Sequence, residues 1–148
     1  RNFKESLQKA YRSLEVGLDG LEAKIIVEND PDLIRPRFLN MSTLRYATSF
    51  RLLKIRQAFE EGRTIDDVYH LTKIDSWFLN QINDLTKMGC ETPLRTLKQN
   101  GFSDIQIGRM MNKSEIEIRK ERKGKSVLPS FKIVDTCAAE FVAKTPYC

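Results

Sequence analysis

Apolar positions recur every three or four residues over most of the chain, the spacing that lines one face of a helix. In the first segment Phe3, Leu7, Ala10, Tyr11, Leu14 and Leu18 share one stripe, and Lys4, Glu5, Gln8, Lys9, Arg12 and Ser13 fill the other side. Gly17 supplies a C-terminal stop, because glycine accepts the left-handed conformation found there. Between residues 19 and 42 the periodicity fades; Ile25-Ile26-Val27 is too short to classify, and Asn29-Asp30-Pro31-Asp32 with Pro36 is turn chemistry. A second helix is predicted after Ser49 as its N-cap, with Leu52, Ile55, Ala58 and Phe59 inward and a stop at Gly62. Arg51, Lys54, Arg56 and Arg63 give it a basic, solvated outer face.

Short, well-punctuated helices follow. Thr64 with Asp67 reads as a capping box ahead of Ile65, Val68 and Leu71, and Thr72 with Asp75 repeats the device. Behind it Trp77, Phe78, Ile82 and Leu85 form a long apolar face that ends at Met88-Gly89. Thr92 reads as a cap with Pro93 in the first helical position, Leu94 and Leu97 follow, and Asn100-Gly101 is a further stop. Ser103 with Gln106 and Ser114 with Glu117 are two more capping boxes. Such dense capping predicts a mainly α fold, a compact bundle of short capped helices, because each helix end must satisfy its own orphan amides. After Gly124 the character changes. Ser126 to Val134 loses helical periodicity and contains Pro129, so the chain divides into a helical domain at 1–125 and an extended C-terminal connector at 126–148.

Composition narrows the function classes. A chain of 148 residues, 41% hydrophobic and 30% charged, has the balance of one folded domain. No stretch approaches the roughly 18 uninterrupted apolar residues of a membrane span, so no membrane partner is expected. Lys and Arg exceed Asp and Glu to give +5, which permits a nucleic-acid or phosphate partner without requiring one. Seven glycines, with neither GxGxxG nor GxxxxGK[ST], leave no phosphate-cradling loop. Cys90, Cys137 and Cys148 are odd in number and widely spaced, which suggests neither a disulfide framework nor a zinc ribbon and fits a reducing compartment. His70 is the single histidine, without a second ligand at helical metal spacing. The start at Arg1, without Met or a signal segment, reads as a piece of something longer.

Three chemical readings are weighed on the residues. Residues 97–123 scan as a helix-turn-helix whose basic helix near 114–123 would offer Arg119 and Arg122 to bases or phosphates. Against this, Glu115, Glu117 and Glu121 would bring carboxylates toward phosphates. Asp66, Asp67 and Asp75 could pair for acid–base work, but their first-turn positions are explained by the helix dipole. Cys137 has no base at readable spacing and reads as a small buried hydrophobe.

Four ordered blocks carry a more specific signal. These are Phe3-Lys4-Glu5-Ser6-Leu7-Gln8-Lys9-Ala10 with Arg12-Ser13-Leu14-Glu15, then Leu71-Thr72-Lys73-Ile74-Asp75-Ser76-Trp77-Phe78-Leu79, then Gly101-Phe102-Ser103-Asp104, and Val134-Asp135-Thr136-Cys137-Ala138-Ala139-Glu140-Phe141 with Thr145-Pro146-Tyr147. Together they resemble the oligomerisation domain of the carbamoyl-phosphate synthetase large chain, the helical unit between two ATP-grasp synthetase halves. Residues 21–47 depart from the family pattern. Gly108 stands where the family usually has alanine after isoleucine, a change that costs a helix interior roughly 1 kcal/mol.

The resemblance implies a non-catalytic scaffold with no cofactor of its own. It implies a parent ligase that makes carbamoyl phosphate from bicarbonate, ATP and glutamine-derived ammonia, using ATP with magnesium or manganese. The implied partners are the flanking synthetase halves, further copies of the large chain, and a glutaminase small subunit or fused domain, with no nucleic acid. The implied setting is arginine or pyrimidine biosynthesis in the cytoplasm, or in an organelle in some eukaryotes. Leu14 and Leu18, on a stripe that runs past the helix stop, are the candidate self-association residues. Asp135, Thr136, Cys137, Ala138, Ala139, Glu140 and Phe141 are the candidate connector to the second half.

Overall fold

The computed structural model describes residues 2–22 and 39–130, and among these it is helical without a strand. The elements are α1 (Phe3–Ser13), a 3-10 turn (Met41–Arg45), α2 (Arg51–Glu60), α3 (Ile65–Thr72), α4 (Ser76–Thr86), α5 (Leu94–Gln99), α6 (Asp104–Met111) and α7 (Glu115–Gly124). The mainly α fold read from the periodicity is the fold observed. The connector residues Asp135 to Phe141, and residues 131–134 of the expected extended segment before them, lie outside the described residues.

Helix α4 is central and packs against α1, α2 and α3, while α7 packs on α6. Its Leu79, Ile82 and Leu85 are buried, as are Leu44, Ile55, Val68, Leu97, Ile107 and Ile118 from the elements around it. Each is an aliphatic side chain at helical spacing, and removing it from water stabilises the fold by about 1.5–3 kcal/mol.

Three capping boxes form as read. In Thr64/Asp67, Ser103/Gln106 and Ser114/Glu117 the N-cap side chain accepts the N3 amide and the N3 side chain accepts the N-cap amide. Three other starts are corrected. Ser49 does not cap α2: Phe50 is its N-cap, without a side-chain hydrogen bond, and the Arg51 amide donates to the Thr48 carbonyl. Asp75, not Thr72, caps α4, accepting the Trp77 amide at 2.8 Å, because the Thr72 hydroxyl is engaged in closing α3, donating to the Val68 carbonyl. Pro93 is the N-cap of α5 with extended backbone, and Thr92 accepts the Gly89 amide instead.

Helix α1 also ends earlier than the glycine suggests. The Leu14 and Glu15 amides tighten onto the Tyr11 and Arg12 carbonyls, and Glu15 takes the left-handed conformation. The early stop lets the chain turn back, so that Leu21 is fully buried and its amide donates to Gln8 Oε1 at 2.7 Å.

Two glycines permit close approach. Gly101 (φ +86°) lies against α1, where a Cβ would stand 2.8 Å from Glu5 Cα. A Cβ on Gly108 would stand 2.5 Å from the Lys113 carbonyl oxygen, so here glycine closes the α6–α7 corner and does more than loosen a helix.

Candidate interaction surfaces

The charged side chains that leave solvent fasten helices together. Asp104, at the start of α6, receives Lys98 of α5 on Oδ1 at 2.9 Å and Arg122 of α7 on Oδ2 at 3.0 Å. Burial alone would raise the Asp104 carboxyl, but the hydrogen bonds and charges of Lys98 and Arg122 outweigh it and hold the carboxyl below its ordinary value. Arg122 also reaches the Val127 carbonyl, while the Val127 amide donates back to the Arg122 carbonyl. An arginine held this way is withdrawn from the role a DNA reader would give it. The end of α7 that would enter a groove presents Glu115 and Glu117, and carboxylates there repel phosphates.

A second network seats the turn after α1. Gln8, fully buried, holds the Leu21 amide and stands beside Gln106 Nε2. Arg12 donates to the Gly101 carbonyl at 2.7 Å, Arg56 donates to the Leu21 carbonyl, and Arg109 pairs with Asp19 and Glu22 at 2.6 and 2.9 Å. Burial pushes the Glu22 carboxyl up against the opposing charge of Arg109. Arg51 donates to the Leu44 and Thr72 carbonyls. The basic face expected on α2 is therefore partly structural, since two of its arginines clamp backbone carbonyls of neighbouring segments.

Outward-facing apolar groups collect in two places on α1. Past its C-terminal end Leu14 and Val16 are 59% and 54% exposed, whereas Leu18 turns in and packs against the core. At its N-terminal end Phe3 meets Trp77 and Phe78 of α4 edge to face, with ring centroids 5.5 and 5.2 Å away. Trp77 and Phe78 remain 53% and 42% exposed. The sequence placed both on the buried face of α4. They sit instead in its first turn, before the point where Leu79 enters the core, and Phe3 packs against them. Edge-to-face rings at this separation are mutually favourable, so Phe3, Trp77 and Phe78 form one aromatic face.

Of the remaining candidates His70 and Cys90 are exposed, and Cys137 lies outside the described residues. His70 is exposed beside the Tyr69 ring. The exposed Cys90 thiol donates to Glu91, which pushes it up, the reverse of an activated nucleophile. Among the described residues no group of three His, Cys, Asp or Glu could hold a metal, and no helix is long and apolar enough to cross a membrane. What the described residues offer a partner is apolar surface on a helical body.

Residues 1–126 match the family described as carbamoyl-phosphate synthetase large chain, oligomerisation domain. The chain belongs to this family. It is 40% identical over 167 residues to a carbamoyl phosphate synthase large chain of Archaeoglobus fulgidus, covering 99% of this chain and 15% of that protein. The large chain of Vibrio cholerae is 40% identical over 158 residues, with 99% and 14% covered. A large chain, N-terminal section, of Aquifex aeolicus is 41% identical over 155 residues, with 99% and 27% covered. The chain thus spans between 14% and 27% of the length of these relatives.

Proposed function

We propose that this domain works by position, holding the two ATP-grasp halves of a carbamoyl-phosphate synthetase large chain in register and contributing to association between large chains. The supporting observation is a division of labour among side chains. The buried charges Asp104, Lys98 and Arg122 tie helices to one another, while Leu14, Val16, Trp77 and Phe78 face outward. Rigid placement of two active sites lets an unstable intermediate pass internally instead of hydrolysing in solvent.

The parent would make carbamoyl phosphate from bicarbonate, ATP and ammonia released from glutamine by a small subunit or fused domain. Its product would feed arginine or pyrimidine synthesis in the cytoplasm, or in an organelle in some eukaryotes. ATP and its magnesium or manganese would be held by the flanking halves.

Leu14 is the self-association residue we retain, because it is exposed where Leu18 is packed. In the full-length protein Leu14→Glu should lower the mass measured by light scattering with helicity unchanged. Unchanged mass removes Leu14 from the interface, and lost helicity makes it a folding residue. For the scaffold role, loosening the domain with Gly101→Ala should raise the ATP consumed per carbamoyl phosphate formed. A constant ratio in a loosened domain overturns it.

A further inference from the structure

The aromatic face at the start of the domain joins Phe3, Trp77 and Phe78 and leaves two of its rings largely open. Trp77 and Phe78 carry about half their surface to solvent, and α1 begins at Phe3, so the face lies within two residues of where the chain enters. The entry is fixed in direction. Asn2 Oδ1 accepts the Glu5 amide at 2.8 Å while its Nδ2 donates to the Gln99 carbonyl at 3.1 Å, which pins the first residues between α1 and α5. Nearby, Lys4 pairs with Asp84 at 2.7 Å and the Asp75 carboxylate is engaged as the cap of α4. An apolar occupant fits this face better than a charged one.

Area decides what kind of occupant. A tryptophan or phenylalanine presents 150–250 Å² when fully uncovered, so the open parts of Trp77 and Phe78 amount to roughly 200 Å². A stable complex between separate molecules takes about 800 Å² from each partner. A tethered segment needs far less, since a short covalent link gives an effective concentration in the millimolar range. The relatives place about six-sevenths of their length outside the match, so tethered polypeptide is available.

We propose that the Phe3–Trp77–Phe78 face is the seat of the polypeptide that leads into residue 1 in the full-length protein, which packs apolar side chains onto Trp77 and Phe78 and so sets the angle between this domain and what precedes it. This rests on the reading of the domain as a scaffold within a large chain and names one of its contact surfaces. It also gives the face a role distinct from the Leu14 end of α1, about 16 Å away along the helix.

The test uses the full-length protein with p-benzoylphenylalanine in place of Trp77, with isotopically light and heavy copies mixed before irradiation. Crosslinks within one chain, to peptides that precede residue 1, are expected. Crosslinks between light and heavy copies, crosslinks to peptides beyond residue 148, or no crosslink at all overturn the proposal. Hydroxyl-radical footprinting of the unsubstituted protein is independent of how that variant folds: Trp77 and Phe78 should lose their labelling, and full labelling of both overturns the proposal. The crosslink reports what covers the face, whereas the ATP ratio above reports whether the domain couples two sites, so either reading can fail while the other stands.

Discussion

The guanidinium of Arg122 meets the Asp104 carboxylate at 3.0 Å, so one of the four basic side chains of α7 is a structural strut. Removing one partner of a buried pair leaves the other uncompensated. Asp104 keeps Lys98, so Arg122→Met should cost about 1–3 kcal/mol, less than loss of an isolated buried pair. Urea unfolding of the variant checks this, and Arg119→Met, exposed on the same helix, should be nearly neutral.

Two carboxylates should give opposite dependences on pH. Asp104 is held below its ordinary value, so its contribution is present above the unfolded value of about 3.9 and is lost as pH falls through the folded value. Glu22 is raised, chiefly by burial, so its contribution is fully present below about 4.3 and is lost as pH rises through its folded value. Asp104→Asn should therefore flatten the acid limb of the stability profile. Glu22→Gln should remove part of the decline between acid and neutral pH. Urea midpoints measured across that range decide it, and parallel profiles for the two variants would contradict the assignment.

Gly101 and Gly62 share left-handed backbone but differ in what surrounds them. At Gly101 a Cβ would stand 2.8 and 2.9 Å from Glu5 Cα and Gln8 Cβ, while at Gly62 nothing lies within 4 Å. Gly62→Ala should cost about 1–2 kcal/mol through backbone strain alone. Gly101→Ala should cost about 2–4 kcal/mol, with the excess reporting the seat of α1. Thermal unfolding of the pair separates strain from packing.

Capping supplies a direct comparison of sequence with structure. Ser103→Ala removes an N-cap hydroxyl that accepts the Gln106 amide and should cost about 1 kcal/mol. Ser49→Ala removes no cap and should be close to neutral. Denaturant midpoints measured side by side would show whether the two serines differ as their geometry says.

The three true boxes were legible because each is a conversation between a side chain and backbone three residues away. Ser49 shares only the residue type, with Leu52 three positions on, while Thr72 repeats the pattern with Asp75 but is the last residue of the preceding helix. Trp77 and Phe78 show the same limit from the other direction. Periodicity gave them a face on α4, but whether that face is covered depends on Phe3, more than seventy positions earlier. The Gln8–Leu21 and Arg12–Gly101 contacts were not legible at all, since no spacing rule links a turn to a helix face at that distance. The self-association candidates split for a related reason. Leu14 and Leu18 share a helical stripe only if the helix continues, and it stops at Ser13.

The seating of the first helix against Gly101 also sets an order of events during synthesis. Phe3 to Ser13 leave the ribosome well before the groove that receives Gln8 and Arg12 is complete, since it exists only after Gly101 and Gln106 have been added. At ordinary elongation rates of 5–20 residues per second that interval is about 5–20 s. For most of it the amphipathic helix lacks its full seat, since α4 is complete only at Thr86 and the Gly101 turn later still, so the interval is a window for chaperone capture that closes as the later helices emerge.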